Sequence, residues 1–202
     1  MLETEIKFFL PDLDMFRRRL QASKAISEGV VFETNYRFDN AQNQLRAERC
    51  LLRLRRDRHN ILTFKRPHPA GGRQFKTHEE LEIKVSDFAT TCQMLEAIGF
   101  HCAQIYEKRR ETFVMDDVEI CLDQLPYGDF AEIEGAPDTI PSMAAHLGLE
   151  WRHRILANYL QIFEALRKSL HLTFNDVTFA HFQTVSGDWR SIIRQFEAGA
   201  TR

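Results

Sequence analysis

The chain has 202 residues, with 27 lysines and arginines against 29 aspartates and glutamates, a formal net charge of −2. That length suits one domain, or one domain with an appendage, and the near-neutral balance leaves no global field to recruit nucleic acid or a membrane. A hydrophobic content of 44% is too high for a disordered chain, and no apolar run approaches the roughly 18 residues that a bilayer-spanning helix needs.

In chain order, Leu2 to Phe8 reads as a strand in which Glu3, Glu5 and Lys7 share one face and Thr4, Ile6 and Phe8 the other. Charge begins at Glu3, so no signal peptide is read before it. Pro11-Asp12 opens a short helix with Leu13, Phe16 and Leu20 on its apolar side. Residues 30–39 form a second strand with Phe32, Thr34, Tyr36 and Phe38 on one face, followed by a polar connection from Asn40 to Glu48. Residues 50–56 and 60–66 pair as a hairpin around Asp57-Arg58-His59-Asn60. Pro67 to Gly72 cannot continue a central strand. It reads as a loop that, with Arg73 and Lys76 after it, could close over an anion.

Residues 79–85 are the next strand, and Ser86 is expected to cap a helix carrying Phe88, Cys92, Leu95 and Ile98 and ended by Gly99. Two long strands follow near 104–115 and 117–124, joined at Asp116-Asp117. Tyr127-Gly128-Asp129 reads as a turn, and Phe130 to Glu134 as a further strand. Pro141 opens a short helix. A longer helix is expected from Trp151 to Leu170, with Ile155, Tyr159, Ile162, Phe163 and Leu166 at helical spacing. Beyond it, Leu172-Thr173-Phe174 and Val177-Thr178-Phe179 look extended, and a last helix carries Trp189, Ile192, Ile193 and Phe196. The four cysteines, Cys50, Cys92, Cys102 and Cys121, include no CxxC pair. They suit a reduced, cytoplasmic setting as small apolar fillers, although Cys121 shares a face with Asp123.

The charge alternation of the first strand recurs. Arg53 and Arg55 alternate with Leu52 and Leu54; Lys65 follows Phe64; Glu80 and Glu82 flank Leu81. Lys108, Arg110 and Thr112 share a face, Asp123 follows Leu122, and Glu132 and Glu134 flank Ile133. One such strand would be an ordinary solvated face. Six or more in one chain suit a closed barrel whose polar side is a ligand-holding lumen and whose apolar side is covered by helices. The expected class is therefore α+β.

These motifs resemble the CYTH domain, the triphosphate tunnel metalloenzymes. Glu3-Thr4-Glu5-Ile6-Lys7 is similar to the ExExK motif that opens the family. In order after it come counterparts of the paired-arginine strand (Leu52-Arg53-Leu54-Arg55), the lysine strand (Leu62-Thr63-Phe64-Lys65) and the central acidic strand (Glu79-Glu80-Leu81-Glu82). Lys108-Arg109-Arg110 resembles the KxR strand, Leu122-Asp123 the aspartate strand, and Glu132-Ile133-Glu134 the closing ExE strand. Asn158-Tyr159-Leu160 resembles the aromatic turn of the C-terminal helix. The second strand departs from the family's Asn-x-Tyr-Phe-Asp, having Arg37 where a tyrosine is usual. The likeness assigns residues 1–170 to the tunnel domain and leaves 171–202 as an extension for packing or an interface.

The resemblance implies an eight-stranded antiparallel tunnel that takes a triphosphate-containing small molecule and one or two divalent metals. Arginine forks and lysine point charges suit phosphate oxygens, so Lys7, Arg53, Arg55, Lys65, Lys108 and Arg110, with Glu80 among them, form the expected substrate wall. Carboxylates facing a polyanion require a hard cation between them, Mg²⁺ or Mn²⁺. Glu3, Glu5, Glu132 and Glu134 are the leading ligand candidates, with Asp123 and Glu82 behind them. Glu3 or Glu5 would orient or deprotonate the attacking water, and Lys7 would work beside them. The expected activity is triphosphate hydrolysis. A class IV adenylate cyclase, or a non-catalytic polyphosphate- or nucleotide-binding module, would use the same residues. A structural salt-bridge network without catalysis is the plain alternative. No HExxH, Gly-x-x-x-x-Gly-Lys or nucleophile-elbow motif occurs, and His78 and His153 read as surface or core residues.

Overall fold

The computed structural model describes residues 2–68 and 74–200. Nine antiparallel strands form one sheet: β1 (Leu2–Leu10), β2 (Ile26–Asn40), β3 (Leu51–Arg56), β4 (Asn60–Pro67), β5 (Lys76–Val85), β6 (Phe100–Met115), β7 (Val118–Leu125), β8 (Gly128–Glu134) and the two-residue β9 (Arg154–Ile155). Their order is β5-β4-β3-β2-β6-β7-β8-β1-β9, and β1 also pairs with β5. Hydrogen bonds therefore run round a ring of eight strands, with β9 added beside β1. The eight antiparallel strands that the family resemblance implies are all present. The loop segment 69–73, including Arg73, lies outside the described residues.

Alternation sorts the ring into two faces. Outward, Ile6, Phe8 and Leu10 of β1 join Ile120, Leu122, Ala131 and Ile133 in a core against α1 (Leu13–Ala22) and α4 (Ile140–His146). Leu13, Phe16 and Leu20 bury α1 as their spacing predicts, and Asp12 caps it by accepting from the Met15 N–H at 2.8 Å. A second outer core, Phe38, Leu54 and Leu95, lies under α3 (Phe88–Ala97).

The helix expected over Trp151–Leu170 is shorter. Trp151–His153 is a single 3-10 turn, and Arg154–Ile155 pairs with Phe8 and Lys7 as β9. The helix proper, α5, spans Tyr159–Ser169 and begins at a reciprocal capping box between Asn158 and Gln161. A cap of that kind, worth about 1 kcal/mol, fixes the start of the helix against a continuing apolar pattern. The cap of α3 is Asp87, not Ser86: its carboxylate accepts from the Thr90 N–H at 2.7 Å. Gly99, at φ +96°, ends that helix as expected, although Ile98 beside it is exposed. The turn before β8 falls at Pro126–Tyr127, one residue early, and a one-turn helix, α2 (Gln44–Ala47), sits in the polar connection after β2.

Unlike α1, α3 and α4, α5 does not cover an outward face. At one end of the ring the inward side chains turn apolar, and Phe9, Leu125 and Phe130 pack against Tyr159, Ile162, Phe163 and Leu166. The residues after α5 join the same core. Val177 is fully buried and bridges to Tyr106, the only part of the two segments expected to be extended that pairs with the sheet among the described residues. The last helix, α6 (Trp189–Arg194), buries Ile192 and Ile193 and stops before Phe196. Among the described residues no helix is long and apolar enough to cross a membrane.

Candidate active site

The inward face of the ring gathers the charged residues that alternation selects. Its first group centres on Glu3 and Glu5. Lys65 Nζ donates to both oxygens of Glu3, at 2.6 and 2.5 Å, and contacts Glu80 at 2.9 Å. Lys76, directly across the β1–β5 ladder from Glu5, donates to it. Burial raises the Glu5 carboxyl, but Lys76 and Lys7 outweigh burial and hold it at about 2, so it stays ionised. Glu3 goes the other way: burial and the neighbouring Glu5 and Glu80 push its carboxyl up despite Lys65.

Glu134, across from Glu5 in the β1–β8 ladder, has no hydrogen bond or ion pair to its carboxylate among the described residues. Burial, Glu3 and Glu119 raise it to about 8.

The second group centres on Asp123 and Glu132. Lys7 pairs with Glu132, and Arg110 with both Glu132 and Asp123; the Arg110 Nε–Asp123 distance is 2.6 Å. Lys108 Nζ and the Tyr159 hydroxyl donate to the same Asp123 oxygen, at 3.0 and 2.8 Å. Glu33 stands within 3.5 Å of Lys108 and 3.9 Å of both Arg55 and Arg110. Cys121 is on this polar face, its Sγ near Glu119 and Thr112, and burial pushes its thiol well up.

Arg53 lies beside both groups, donating to Thr63 at 3.2 Å, while Thr63 donates to Glu82 at 3.0 Å. Glu82 is the outlier among the metal candidates. It sits beside Arg53, away from Glu3, Glu5 and Glu134, and its side chain is 40% exposed. The Nε atom of Arg53 is buried with no acceptor among the described residues, whereas Arg55 Nε lies 2.9 Å from the Asp57 carboxylate.

Sequence reasoning did not assign Glu33, Asn35, Arg37, His78 or Tyr159 to this face, and it read Lys76 only as part of a loop that could close over an anion. It followed the apolar side of β2 and so passed over Glu33, although alternation with Phe32 and Thr34 assigns it inward. Lys76 and His78 continue the Glu80–Glu82 face of β5 across from Glu5 and Glu3. Burial and the neighbouring Lys76 lower His78 to about 4, which keeps it neutral. Tyr159 carried the helical spacing of a core residue and the likeness to the family's aromatic turn; its contact with Asp123 depends on how α5 plugs the ring.

For a divalent cation the donor set divides. Among the described residues no three acidic, histidine or cysteine side chains already stand as a ligand cage. Asp123 and Glu132 are committed to Lys7, Lys108 and Arg110 and fit a cation poorly. Glu3 and Glu5 are also paired, with Lys65 and Lys76, but they crowd Glu134, which burial, Glu3 and Glu119 raise to about 8, so added positive charge is favoured beside this group.

Glu33 carries a pH prediction. Burial raises its carboxyl, but Lys108, Arg110 and Arg55 hold it at about 2. Its pairing therefore stabilises the fold above the ordinary glutamate pKa near 4.3, and that contribution disappears as pH falls from about 4.3 through about 2. Glu33→Gln is expected to cost about 3 kcal/mol near pH 7 and to flatten the acid limb of stability below about pH 4. Denaturant unfolding across that range measures it, and an unchanged acid limb would show that Glu33 contributes nothing there.

The CYTH-domain profile matches residues 1–141, more than two thirds of the sequence. The chain belongs to the CYTH-domain family. Members of this CYTH family are triphosphatases or adenylate cyclases, act on triphosphate substrates and are in general divalent-metal dependent. A Methanocaldococcus jannaschii protein provisionally named an adenylate cyclase is 25% identical over 171 residues, covering 84% of this chain and 91% of its own. A Vibrio parahaemolyticus structure, also provisionally named an adenylate cyclase, superposes with a TM-score of 0.71 at 20% identity, over 82% of this chain and 99% of that one. A Hippeastrum protein provisionally called an adenylyl cyclase, and described as having a dominant triphosphatase activity, gives 0.60 at 18% identity, over 80% and 95%. At those identities the two structures show a shared CYTH fold.

Proposed function

We propose that the protein is a divalent-metal-dependent triphosphatase whose strand ring is a closed, charged tunnel, hydrolysing inorganic, thiamine or nucleoside triphosphate. The observation that carries the proposal is the buried, acceptorless guanidinium Nε of Arg53, inside a face that also holds Arg55, Lys7, Lys65, Lys108 and Arg110. Buried donors without acceptors are costly, and phosphate oxygens would satisfy them.

Arg53 and Arg55 present forks to the phosphates, and the lysines add point charges. Incoming phosphates take over cations now paired with carboxylates. Releasing Lys65 from Glu3 and Lys76 from Glu5 frees those carboxylates, so substrate and cation favour each other's binding. A divalent cation held by Glu3, Glu5 and Glu134 would supply polarisation of the terminal phosphoryl group. Glu3 or Glu5 orients the attacking water and accepts its proton. The new bond joins water oxygen to the terminal phosphorus, the bridging P–O bond breaks, and the diphosphate leaves with the electron pair under the stabilising charge of Arg53, Arg55 and Arg110.

A second reading, cyclisation of ATP to cyclic AMP and pyrophosphate, is favoured by the name of the M. jannaschii relative. A cyclase must also seat an adenine. The inward aromatic surface that could stack on one is covered: Phe130 packs edge-on against Tyr159 at 5.1 Å, beneath α5. This weighs against any adenine nucleotide, as hydrolysis substrate as well as cyclase substrate, and favours hydrolysis of inorganic triphosphate. Incubation with ATP, tripolyphosphate and thiamine triphosphate under Mg²⁺ and under Mn²⁺ decides by product. Orthophosphate release upholds the proposal, cyclic AMP replaces it with the cyclase, and binding without turnover leaves a non-catalytic module.

Arg55→Ala is expected to raise KM by about 10- to 100-fold with a smaller change in kcat, as befits loss of a charge-assisted phosphate contact. An unchanged KM would remove Arg55 from the substrate wall.

A further inference from the structure

Arg37 stands outside the substrate wall described so far, on the inward face of β2. It is 9% exposed, and its Nε is buried with no acceptor among the described residues. Its nearest carboxylate is Asp39, at 3.6 Å, too far for a hydrogen bond. Asp39 is already engaged: it accepts the backbone N–H groups of Asn40, Leu45 and Arg46 at 2.9, 3.0 and 3.1 Å, which anchors the turn into α2. Burial disfavours the charge on Arg37, Asp39 favours it, and Arg46 nearby disfavours it again. The result is a buried guanidinium with one long ion pair and no hydrogen-bond acceptor for its Nε, and such donors are costly unless something binds them.

Its position says what would bind. In the β2–β3 ladder Arg37 lies directly opposite Arg53, and Asn35 opposite Arg55. Directly opposed residues have Cβ atoms about 5 Å apart, so two guanidiniums with unused Nε donors face each other. Like charges so placed repel, and an anion between them turns the repulsion into a bidentate grip. The ladder between β2 and β6 also slips between Arg37 and Phe38. Bulges of that kind re-aim a side chain, often beside a site. On its other side Arg37 is opposite Gln104, whose amide nitrogen donates to the Asn175 carbonyl at 2.7 Å, so no second carboxylate stands opposite it there.

We propose that Arg37 binds an anionic group beyond the third phosphate, making the preferred ligand a linear polyphosphate of at least four phosphates. The inference rests on the reading of the tunnel as a polyphosphate site and names its substrate class. A fourth phosphate is present both in free tetrapolyphosphate and in a nucleoside tetraphosphate, and binding of the two distinguishes the sources.

Binding of tripolyphosphate, tetrapolyphosphate and adenosine 5′-tetraphosphate to the full chain is measured by calorimetry in EDTA, where nothing is hydrolysed, and turnover is measured separately with Mg²⁺. Wild type is expected to bind tetrapolyphosphate at least about tenfold more tightly than tripolyphosphate, and Arg37→Gln to reduce that ratio to within about twofold. If the glutamine variant does not fold, Arg37→Lys keeps a charge beside Asp39, loses the fork, and should give an intermediate ratio. Adenosine tetraphosphate binding as well as tetrapolyphosphate means the tunnel accepts a nucleoside at the far end; weaker binding restricts the ligand to the unsubstituted chain. Equal wild-type affinity for three and four phosphates overturns the inference, as does equal weakening of both chains in Arg37→Gln. Orthophosphate release from tripolyphosphate would leave the triphosphatase reading standing in either case. A chain-length preference without any hydrolysis upholds Arg37 and removes the triphosphatase reading.

Discussion

Glu5→Gln is expected to lower triphosphate turnover by at least about 10³-fold at saturating Mg²⁺ or Mn²⁺. The substitution keeps the shape of the side chain and removes its charge. Glu5 is buried, and Lys76 and Lys7 hold it ionised at about 2. It is therefore a permanent anion at the end of the ring where Glu3 and Glu134 also gather. Glutamine there offers one carbonyl oxygen and no charge to a divalent cation. The loss should appear in kcat and in Mn²⁺ affinity measured directly. The fold should survive, because Lys7 keeps its pair with Glu132 and Lys76 is a quarter exposed. Full activity in Glu5→Gln would remove Glu5 from the cation's ligands. A variant that binds Mn²⁺ normally but does not turn over would move Glu5 to the water-orienting role.

The fold was legible because every ring strand writes charge and apolar side chains on opposite faces. Glu3, Arg53, Lys65, Lys108, Asp123 and Glu132 could be assigned inward from alternation alone, and the structure brings them to one face. The pattern was applied unevenly. In β2 the aromatic side was followed and the opposite side, Glu33, Asn35 and Arg37, was left unread, though the same rule places it. The helices were harder. A 3.6-residue apolar pattern from Trp151 onward does not show that β1 needs a partner at Lys7 and Phe8, which Arg154–Ile155 supplies. Nor could spacing tell that α5 would plug the ring and bring the Tyr159 hydroxyl to Asp123, since that contact joins residues 36 apart.

The pairing inside the ring bears on the alternative of a purely structural ion-pair network. In such a network each carboxylate should be matched and each guanidinium saturated, because unsatisfied buried charge is penalised. The second group approaches that condition at Asp123. The first does not, since Glu134 is driven up to about 8 by its neighbours. The arginine row fails it as well, with Arg37 and Arg53 each keeping an Nε without a hydrogen-bond acceptor. Unmatched acid and unmatched base occur on different strands of one ring, which is how a face would look if a cation and a polyanion completed it.

Arg110→Ala is expected to be the most destabilising single change on this face and to abolish activity as well. Arg110 is the shared counter-ion of three buried carboxylates, Asp123, Glu132 and Glu33. Asp123 is fully buried and Glu33 is 1% exposed, so water cannot replace the guanidinium without opening the ring. Removing one partner of a buried pair costs about 3–5 kcal/mol, which for a chain of this size lowers Tm by roughly 6–20 °C. Lys7 and Lys108 remain and limit the loss. Asp123→Asn in the same background should recover part of it, because the amide removes one of the stranded charges, and thermal unfolding of the four proteins in a double-mutant cycle gives the coupling directly. The loss should also shrink at low pH, where the stranded carboxylates take up protons and no longer need a counter-ion. A Tm shift under about 2 °C, with no coupling to Asp123, would mean that this face is as well solvated as a surface. The electrostatic argument for a polyanion held among buried charges would then fail with it.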